Sequence, residues 1–246
     1  MTAASPQGLR FLDADDLATH AARRLVDVVV DHQQDGRVAI LCLTGGRIAL
    51  RVYSRLADLV GGDSRLDPAR LELWWSDERF VPTDDPTRNA GPTLASLAGR
   101  FPLDPARTQP MPAADGLIDA GAAAATYAKE LGDTRFDICL LGLGEDGHVA
   151  SIFPGHPSSE ETNQTVIGVS DSPKPPAERI SLTLPTLSRS GEVWFLASGR
   201  EKAAAVAAAV AGDQSLPAAR VHGQQATVWL LDRDAASELP YFECSL

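Results

Sequence analysis

Strand-length runs of apolar residues alternate with segments of helical periodicity along most of the chain, and this alternation restricts the fold more than any other feature. The runs are almost continuously apolar, which is typical of parallel strands covered by helices on both faces. We therefore predict buried strands at five places, namely RVAILCLT (37–44), LELWWSD (71–77), FDICLLGL (136–143), EVWFLAS (192–198) and ATVWLLD (226–232).

The intervening segments place apolar residues at the spacing of amphipathic helices. The first of them carries acidic residues in its first turn, where the helix dipole favours negative charge. Helices are predicted at residues 13–34, 48–60, 118–131 and 201–212. Strands that alternate with helices indicate an α/β fold with a mainly parallel sheet.

Two architectures suit such a chain of 246 residues, a (βα)8 barrel and an open doubly wound sheet. The apolar runs TVIGVS (165–170) and RISLTL (179–184) are separated only by the Pro-rich stretch DSPKPPAE. That stretch is too short for a crossover helix, so the two runs are predicted to form an antiparallel pair. We predict an open, Rossmann-like, doubly wound sheet flanked by helices, with a small antiparallel excursion, in a single domain over residues 1–246.

Polar clusters follow four of the predicted strands. They comprise residues 44–47, 76–79, 144–148 and 198–202. In open α/β sheets, ligands bind at the carboxyl ends of the strands. The sequence therefore predicts a functional site where these four clusters meet.

The stretch LLGLGEDGHVASIFPGH (140–156) contains a literal G-x-G-x-x-G formed by Gly142, Gly144 and Gly147. A dinucleotide fingerprint also requires a long helix after the glycines and an acid at the end of the next strand. Here Pro154 and the following glycine interrupt the segment, and Asp146 would face the phosphates with a negative charge. These features favour a catalytic loop over a nucleotide-binding loop.

Within this loop, His148 is the candidate general base and Asp146 its partner. A neutral imidazole can take a proton from water at physiological pH, and a carboxylate can fix its tautomer and stabilise the imidazolium. The alternative is a histidine that only caps the following turn or binds a carbonyl. The five histidines show no metal-ligand spacing, and no G-x-S-x-G, H-E-x-x-H or phosphate-loop motif occurs, so a metal-free site is predicted.

The formal net charge of −11 argues against nucleic acid and acidic membranes as partners. An anionic substrate would then need cations gathered locally, and the candidates are Arg79, Arg88, Arg179 and Lys202. For each of them an ordinary surface charge is the alternative. Arg79 and Lys202 are the strongest because each follows a predicted strand.

Thr44, Gly45 and Gly46 lead directly into a predicted helix, whose free N–H groups suit a phosphate, although a tight strand–helix turn would use the same residues. Asp77 either contacts sugar hydroxyls or caps a turn. The neighbouring Trp74 and Trp75 are predicted to lie in the core.

Cys42, Cys139 and Cys244 are scattered and form no C-x-x-C, which indicates reduced and mostly buried thiols in a cytosolic protein. The N-terminal residues show no signal-peptide pattern, and no apolar run reaches membrane-spanning length. We expect a cytoplasmic protein with a small-molecule substrate, and no obligate protein partner is evident.

With WWSDERFVP, Arg88-Asn89, the glycine loop, RISLTLPTL and FLASGREKAAAV in hand, the chain closely resembles the 6-phosphogluconolactonases over nearly its whole length. The most specific element is G-x-G-x-D-G-H-x-A-S-x-F-P. The resemblance implies a sugar-phosphate isomerase-like α/β domain that hydrolyses 6-phospho-D-glucono-1,5-lactone in the oxidative pentose phosphate pathway without a cofactor. It also implies that His148 is the general base and that the substrate site includes Thr44, Gly45, Gly46, Arg79, Arg179 and Lys202. The candidate substrate-binding set is completed by Arg47, Asp77, Arg88, Asn89 and Gly144.

Related amino-sugar-phosphate deaminases share the glycines and D-G-H but continue as I-A-F-N-E-P, with an acid used in ring opening. This chain continues with Ser151-Ile152-Phe153-Pro154, which favours the lactonase. A non-catalytic sugar-phosphate-binding regulator is a third hypothesis, disfavoured because Asp146 and His148 are both intact. In one departure from the family, the glycine pair is followed by Arg47 instead of Ser or Thr, so this side chain either adds a phosphate contact or crowds the loop.

Overall fold

The computed structural model describes residues 7–60, 65–98, 101–116 and 118–240. Within these residues it contains two β-sheets and helices that pack on them. The strands are β1 (Gln7–Phe11), β2 (Ala39–Leu43), β3 (Leu71–Trp75), β4 (Asp77–Arg79), β5 (Thr108–Gln109), β6 (Ile138–Gly142), β7 (Val166–Val169), β8 (Arg179–Leu182), β9 (Glu192–Ala197) and β10 (Ala226–Asp232).

The α-helices of the described residues lie between these strands. They are α1 (Ala14–Gln33), α2 (Arg47–Val60), α3 (Ala90–Leu97), α4 (Ala120–Leu131), α5 (Leu184–Leu187), α6 (Ala203–Val210) and α7 (Pro217–Arg220). Short 3-10 turns occupy Pro68–Arg70, Pro105–Arg107, Pro157–Ser159 and Arg200–Lys202. The last of these turns explains why α6 begins two residues later than the alanine pattern predicts.

In the described part of the chain, the larger sheet has seven strands in the order β1-β10-β9-β6-β2-β3-β5, and every neighbouring pair is parallel. The five predicted strands form its centre, so the predicted doubly wound α/β fold is confirmed. The short edge strands β1 and β5 were not predicted. The order reverses between β2 and β6, which places the switch point of the sheet between the ends of these two strands.

The predicted antiparallel pair is confirmed as β7 and β8, with Val166 opposite Leu182 and Val169 opposite Arg179. It does not extend the large sheet. Instead it joins β4 in a separate three-stranded sheet of order β4-β8-β7. Ser76 connects the two sheets, because its N–H donates to the carbonyl of Leu43 at 2.8 Å and its carbonyl accepts from Leu182 at 2.9 Å.

The core surrounds the large sheet. Trp74 and Trp75 are buried, as predicted, and Cys42 and Cys139 are buried free thiols on neighbouring strands. The third cysteine, Cys244, lies outside the described residues. No helix in the described ranges has both the length and the apolar character needed to span a membrane.

Candidate active site

A cavity of about 490 Å³ opens at the carboxyl ends of the central strands, beside the switch point. Residues from all four predicted polar clusters line it, so the prediction that these clusters meet is confirmed. The members of the candidate set that line the cavity are Thr44, Gly45, Gly46, Arg47, Asp77, Arg79, Asn89, His148, Arg179 and Lys202. Asp146 and Gly144 contact His148 but do not line the cavity. Arg88 does not line it either.

His148 and Asp146 form a hydrogen-bonded pair in the loop that follows β6. Nδ1 of His148 lies 2.5 Å from Oδ1 of Asp146, and the His148 side chain is only 19% exposed. Because Nδ1 is engaged by the carboxylate, Nε2 is the ring nitrogen left to accept a proton. The Phe153 ring packs against the imidazole at 4.7 Å between centroids and further limits its movement.

The Asp146 carboxylate is held in its charged form. Partial burial acts to raise the pKa of Asp146, but the hydrogen bond and charge of His148, together with the charge of Lys174, lower it well below its ordinary value. An ionised Asp146 can accept a hydrogen bond from Nδ1–H and thus select the tautomer with a free Nε2.

The backbone of this loop leaves room for the pair only because residue 144 is glycine. A Cβ at Gly144 would overlap Nδ1 of His148 and Oδ1 of Asp146. Gly147 has φ of +82°, a left-handed conformation that favours glycine, and its N–H donates to the carbonyl of Gly144 at 3.0 Å. No long helix follows these glycines, since the next helical residues are the 3-10 turn Pro157–Ser159. The loop therefore lacks the helix that a dinucleotide fingerprint requires.

The loop after β2 brings the N-terminus of α2 to the cavity. Tyr53 on α2 fixes Thr44, because its hydroxyl donates to the Thr44 carbonyl at 2.9 Å and accepts from the Thr44 N–H at 3.0 Å. Thr44 Oγ1 in turn accepts from the N–H of Gly142 at 3.3 Å and so ties β2 to β6 at the switch point. Arg47 and Ile48, in the first turn of α2, line the cavity, and the first N–H groups of an α-helix have no partner within the helix.

Asn89 packs in the space that a side chain at Gly45 would fill. Its Nδ2 donates to the Asp77 carbonyl at 2.9 Å, and its Oδ1 accepts from Nη1 of Arg79 at 2.8 Å. Asp77 is buried and accepts a further hydrogen bond of 2.6 Å from the Ser151 hydroxyl. Asn89 therefore acts as a bridge that orients Arg79 at the cavity wall.

Arg79 and Arg179 lie directly opposite each other on β4 and β8. Arg179 is buried, and this burial lowers its pKa, with the charge of Arg79 acting in the same direction and that of Asp77 opposing it. Like charges directly across a strand pair destabilise a sheet. An anion bound between the two guanidinium groups would relieve that repulsion.

Arg88 has a different environment. Its Nη2 lies 3.5 Å from Oε2 of Glu78 and donates to the carbonyl of Met111 at 2.6 Å. Glu78 is fully buried, and its carboxylate also accepts from the N–H groups of Asn89 at 2.6 Å and Ala90 at 2.9 Å, at the start of α3. Burial raises the pKa of Glu78, while these hydrogen bonds and the charge of Arg88 oppose the increase. Arg88 therefore holds α3 through Glu78 instead of facing the cavity.

Lys202 and Arg47 both line the cavity, Lys202 after β9 and Arg47 after β2. No carboxylate of the described residues forms an ion pair with Lys202, whereas Nη2 of Arg47 lies 3.8 Å from Oε1 of Glu201. The Arg47 side chain is 95% exposed, so it does not crowd the glycine loop. The buried Asp232 holds the 198–202 turn by accepting from the Ser198 hydroxyl at 2.6 Å.

Two residues near the site were missed by the sequence reasoning, Ser151 and Lys174. Ser151 contacts Asp77, and Lys174 contacts Asp146 from a segment 28 residues further along the chain. The Pro-rich stretch around Lys174 gave no signal beyond its short length. Among the described residues, no group of three or more His, Cys, Asp or Glu side chains is arranged to hold a metal ion.

The chain is similar to known proteins over nearly its whole length. Residues 12–229 match the model of a family described as glucosamine-6-phosphate isomerases/6-phosphogluconolactonase. A 6-phosphogluconolactonase of Streptomyces coelicolor is 46% identical, with 96% of this chain and 95% of the relative covered. One from Mycobacterium tuberculosis is 42% identical, with 94% and 97% covered. The solved 6-phosphogluconolactonase structure from Trypanosoma brucei superimposes with a TM-score of 0.84 at 25% identity, covering 97% of this chain and 100% of that one.

Proposed function

The chain belongs to the family of glucosamine-6-phosphate isomerases and 6-phosphogluconolactonases, and on this premise we propose that it is a 6-phosphogluconolactonase with His148 as general base. The reaction is the hydrolysis of 6-phospho-D-glucono-1,5-lactone to 6-phospho-D-gluconate in the oxidative pentose phosphate pathway. The relatives described above carry the lactonase name, and they align with almost the whole of this chain.

The observation that carries the mechanism is the Asp146–His148 pair at the wall of a cavity that also holds cations. Nε2 of His148 takes a proton from a water molecule, whose oxygen attacks the lactone carbon C1. The negative charge that develops on the carbonyl oxygen is stabilised by positive side chains and backbone N–H groups. The bond from C1 to the ring oxygen then breaks, and the imidazolium returns its proton to that oxygen. No covalent intermediate with the protein is needed.

The phosphate is proposed to bind Arg79, Arg179 and Lys202, close to the N-terminus of α2. The repulsion between the two facing arginines supports this role, and so does the position of Lys202, which lines the cavity and pairs with no carboxylate in the described part of the chain. The phosphate lies far from C1, so its binding orients the lactone and does not take part in the chemistry.

The residues after the histidine support hydrolysis over isomerisation or deamination. Phe153 is buried at the position where the deaminase pattern carries an acid, and it packs on the His148 ring. The carboxylates that line the cavity are Asp77 and Glu201, as far as the described residues extend. Asp77 is already engaged by Ser151 and Asn89, and Glu201 pairs with Arg47.

We also propose the kind of binding partner and the cellular location of the enzyme. The net charge of −11 supports a small anionic substrate bound by local cations instead of nucleic acid or membrane partners. The free thiols of Cys42 and Cys139 support a cytoplasmic location, with residues 1–246 acting as one domain.

The test is to add purified protein to freshly prepared lactone and to compare the rate of lactone loss with the spontaneous rate. Acceleration by the wild type is expected, and its absence would refute the lactonase proposal. His148→Ala should reduce kcat by about 10²–10⁴-fold, the contribution of a general base, while binding of 6-phosphogluconate persists. His222→Ala is the matched control, since His222 is exposed and outside the cavity. Near-normal turnover by His148→Ala would remove His148 as the base.

A further inference from the structure

The segment between β7 and β8 lies beside Asp146 and contacts it through Lys174. Nζ of Lys174, in this segment, lies 3.5 Å from Oδ1 of Asp146 and 3.5 Å from Oε1 of Glu145. The Lys174 side chain is half-buried, whereas Glu145 is mostly exposed. Lys174 therefore brings a positive charge to the carboxylate that supports the proposed base.

The backbone around Lys174 is held by the buried Arg179. Nη2 of Arg179 donates to the carbonyl of Lys174 at 2.9 Å and to that of Pro175 at 3.0 Å, and Nε donates to the carbonyl of Pro176 at 3.2 Å. The Ser172 hydroxyl also donates to the Lys174 carbonyl, at 2.9 Å. The position of the ammonium is thus set by a side chain that lines the cavity.

We infer that Lys174 is a positioning residue that controls the protonation balance of the Asp146–His148 pair and connects it to the phosphate-binding side of the cavity. This inference rests on the proposed function, because it concerns the base of that reaction. Lys174 does not have to touch the substrate to act in this way.

The protonation of the pair depends on the charges next to Asp146. His148 contacts it from its own loop, and Lys174 contacts it from the segment between β7 and β8. Glu145, the residue before Asp146, is the second carboxylate that pairs with Lys174. Two neighbouring carboxylates without a lysine would favour the imidazolium form of His148, which cannot act as a base. The ammonium of Lys174 offsets part of this negative charge, while Asp146 remains ionised and keeps the ring oriented.

The test is the pH dependence of kcat/KM for the full-length wild type and for Lys174→Met, which removes the charge and keeps the length of the side chain. The acidic limb of the profile should move to higher pH by about 0.5 unit, a shift typical of a partly exposed charge pair. At a pH below the limb, kcat/KM should fall about threefold, and on the plateau it should change little. Lys174→Arg should restore the wild-type limb. Lys129→Met, an exposed lysine on α4, is the matched control.

Glu145→Gln tests the same balance without changing Lys174. It removes the competing carboxylate, so the limb should move to lower pH, and it remains informative if Lys174→Met does not fold. A purely structural lysine would change stability and leave the limb in place, which would overturn the inference. An increase in KM at every pH with an unmoved limb would also overturn it, since that is the signature of a direct substrate contact. An inactive wild type would instead refute the proposed function, so the two failures are distinguishable.

Discussion

The substitution Gly144→Ala adds one methyl group at the point where the loop backbone supports the proposed catalytic pair. The added Cβ would overlap Nδ1 of His148 and Oδ1 of Asp146. Gly144 does not have a positive φ, so alanine is compatible with the backbone itself and the conflict is confined to the two side chains. The imidazole or the carboxylate must therefore move.

The expected loss follows from what this movement breaks. Displacing His148 from Asp146 removes the orientation of the base, and general-base catalysis contributes about 10²–10⁴-fold, which corresponds to about 3–5 kcal/mol of transition-state stabilisation. If the loop shifts instead, the 2.9 Å bond from the Gly144 N–H to the His148 carbonyl is strained as well. Overpacking of this kind costs about 1–3 kcal/mol of stability, or a Tm lower by about 2–12 °C for a chain of this size.

The assay is the initial rate of lactone loss at saturating substrate, together with a thermal melt of each protein. A fall in kcat of at least a hundredfold with a retained cooperative melt is expected. Gly91→Ala is the matched control, because a Cβ at Gly91, within α3, meets no atom within 4 Å. If Gly144→Ala retained kcat within about threefold of the wild type, the pair could not be required for the chemistry in the geometry described, since a general base contributes far more.

The charges of Asp146, Arg79 and Arg88 each have an effect that can be measured. Folding lowers the pKa of Asp146, so its contribution to stability is present above the ordinary value of about 4 and is lost as the pH falls from there towards the lower folded pKa. The Tm advantage of the wild type over Asp146→Asn should therefore shrink between about pH 5 and pH 2, and a constant difference over this range would contradict the assigned pair. Inorganic phosphate should raise the Tm of the wild type and raise that of Arg79→Ala much less. The KM of Arg79→Ala for the lactone should increase about 10–100-fold, because one charge-assisted phosphate contact is lost. Equal Tm shifts with phosphate in both proteins would remove Arg79 from the phosphate site. Arg88→Ala leaves the buried Glu78 carboxylate without its ion partner, so we expect a loss of about 3–5 kcal/mol in the free energy of unfolding with little change in KM, and the reverse result would return Arg88 to the substrate site.

The central strands were predictable from the sequence because burial on both faces leaves a continuous apolar run, as in AILCL of β2 and EVWFLA of β9. The edge strand β5 is only two residues long and carries no such signal. Helix α3 was also missed. The N–H of Ala90, at its start, donates to the carboxylate of Glu78, which lies 12 residues earlier in the chain and reaches the helix only in the folded structure. Sequence patterns show local periodicity, so they do not reveal a helix cap that is supplied by a residue of a distant strand.

The same distinction applies to the site. The residues that follow strands, such as Thr44, Asp77 and His148, were predictable because the topology of a parallel sheet brings strand ends together. Lys174 was not predictable, because its contact with Asp146 depends on how the Pro-rich segment wraps around Arg179. The sequence ranked Arg79 above Arg88 because Arg79 directly follows a predicted strand. It could not show that Arg88 pairs with the buried Glu78, since that contact is set by tertiary structure.

The partners of the arginines explain how a chain with a net charge of −11 can keep a positive cavity. Away from the cavity, arginines pair with carboxylates, as Arg70 does with Asp67 at 2.8 Å. Arg179 is held by carbonyl oxygens, and Arg79 by the Thr87 carbonyl and the Asn89 amide at 2.6 and 2.8 Å. Neutral acceptors orient a guanidinium without cancelling its charge, so both side chains stay available to a phosphate. Placing a carboxylate here by Asn89→Asp should therefore raise the KM for the lactone, because the new charge pairs with Arg79. It should also lower the Tm, because the amide group that donates to the Asp77 carbonyl and carboxylate is lost.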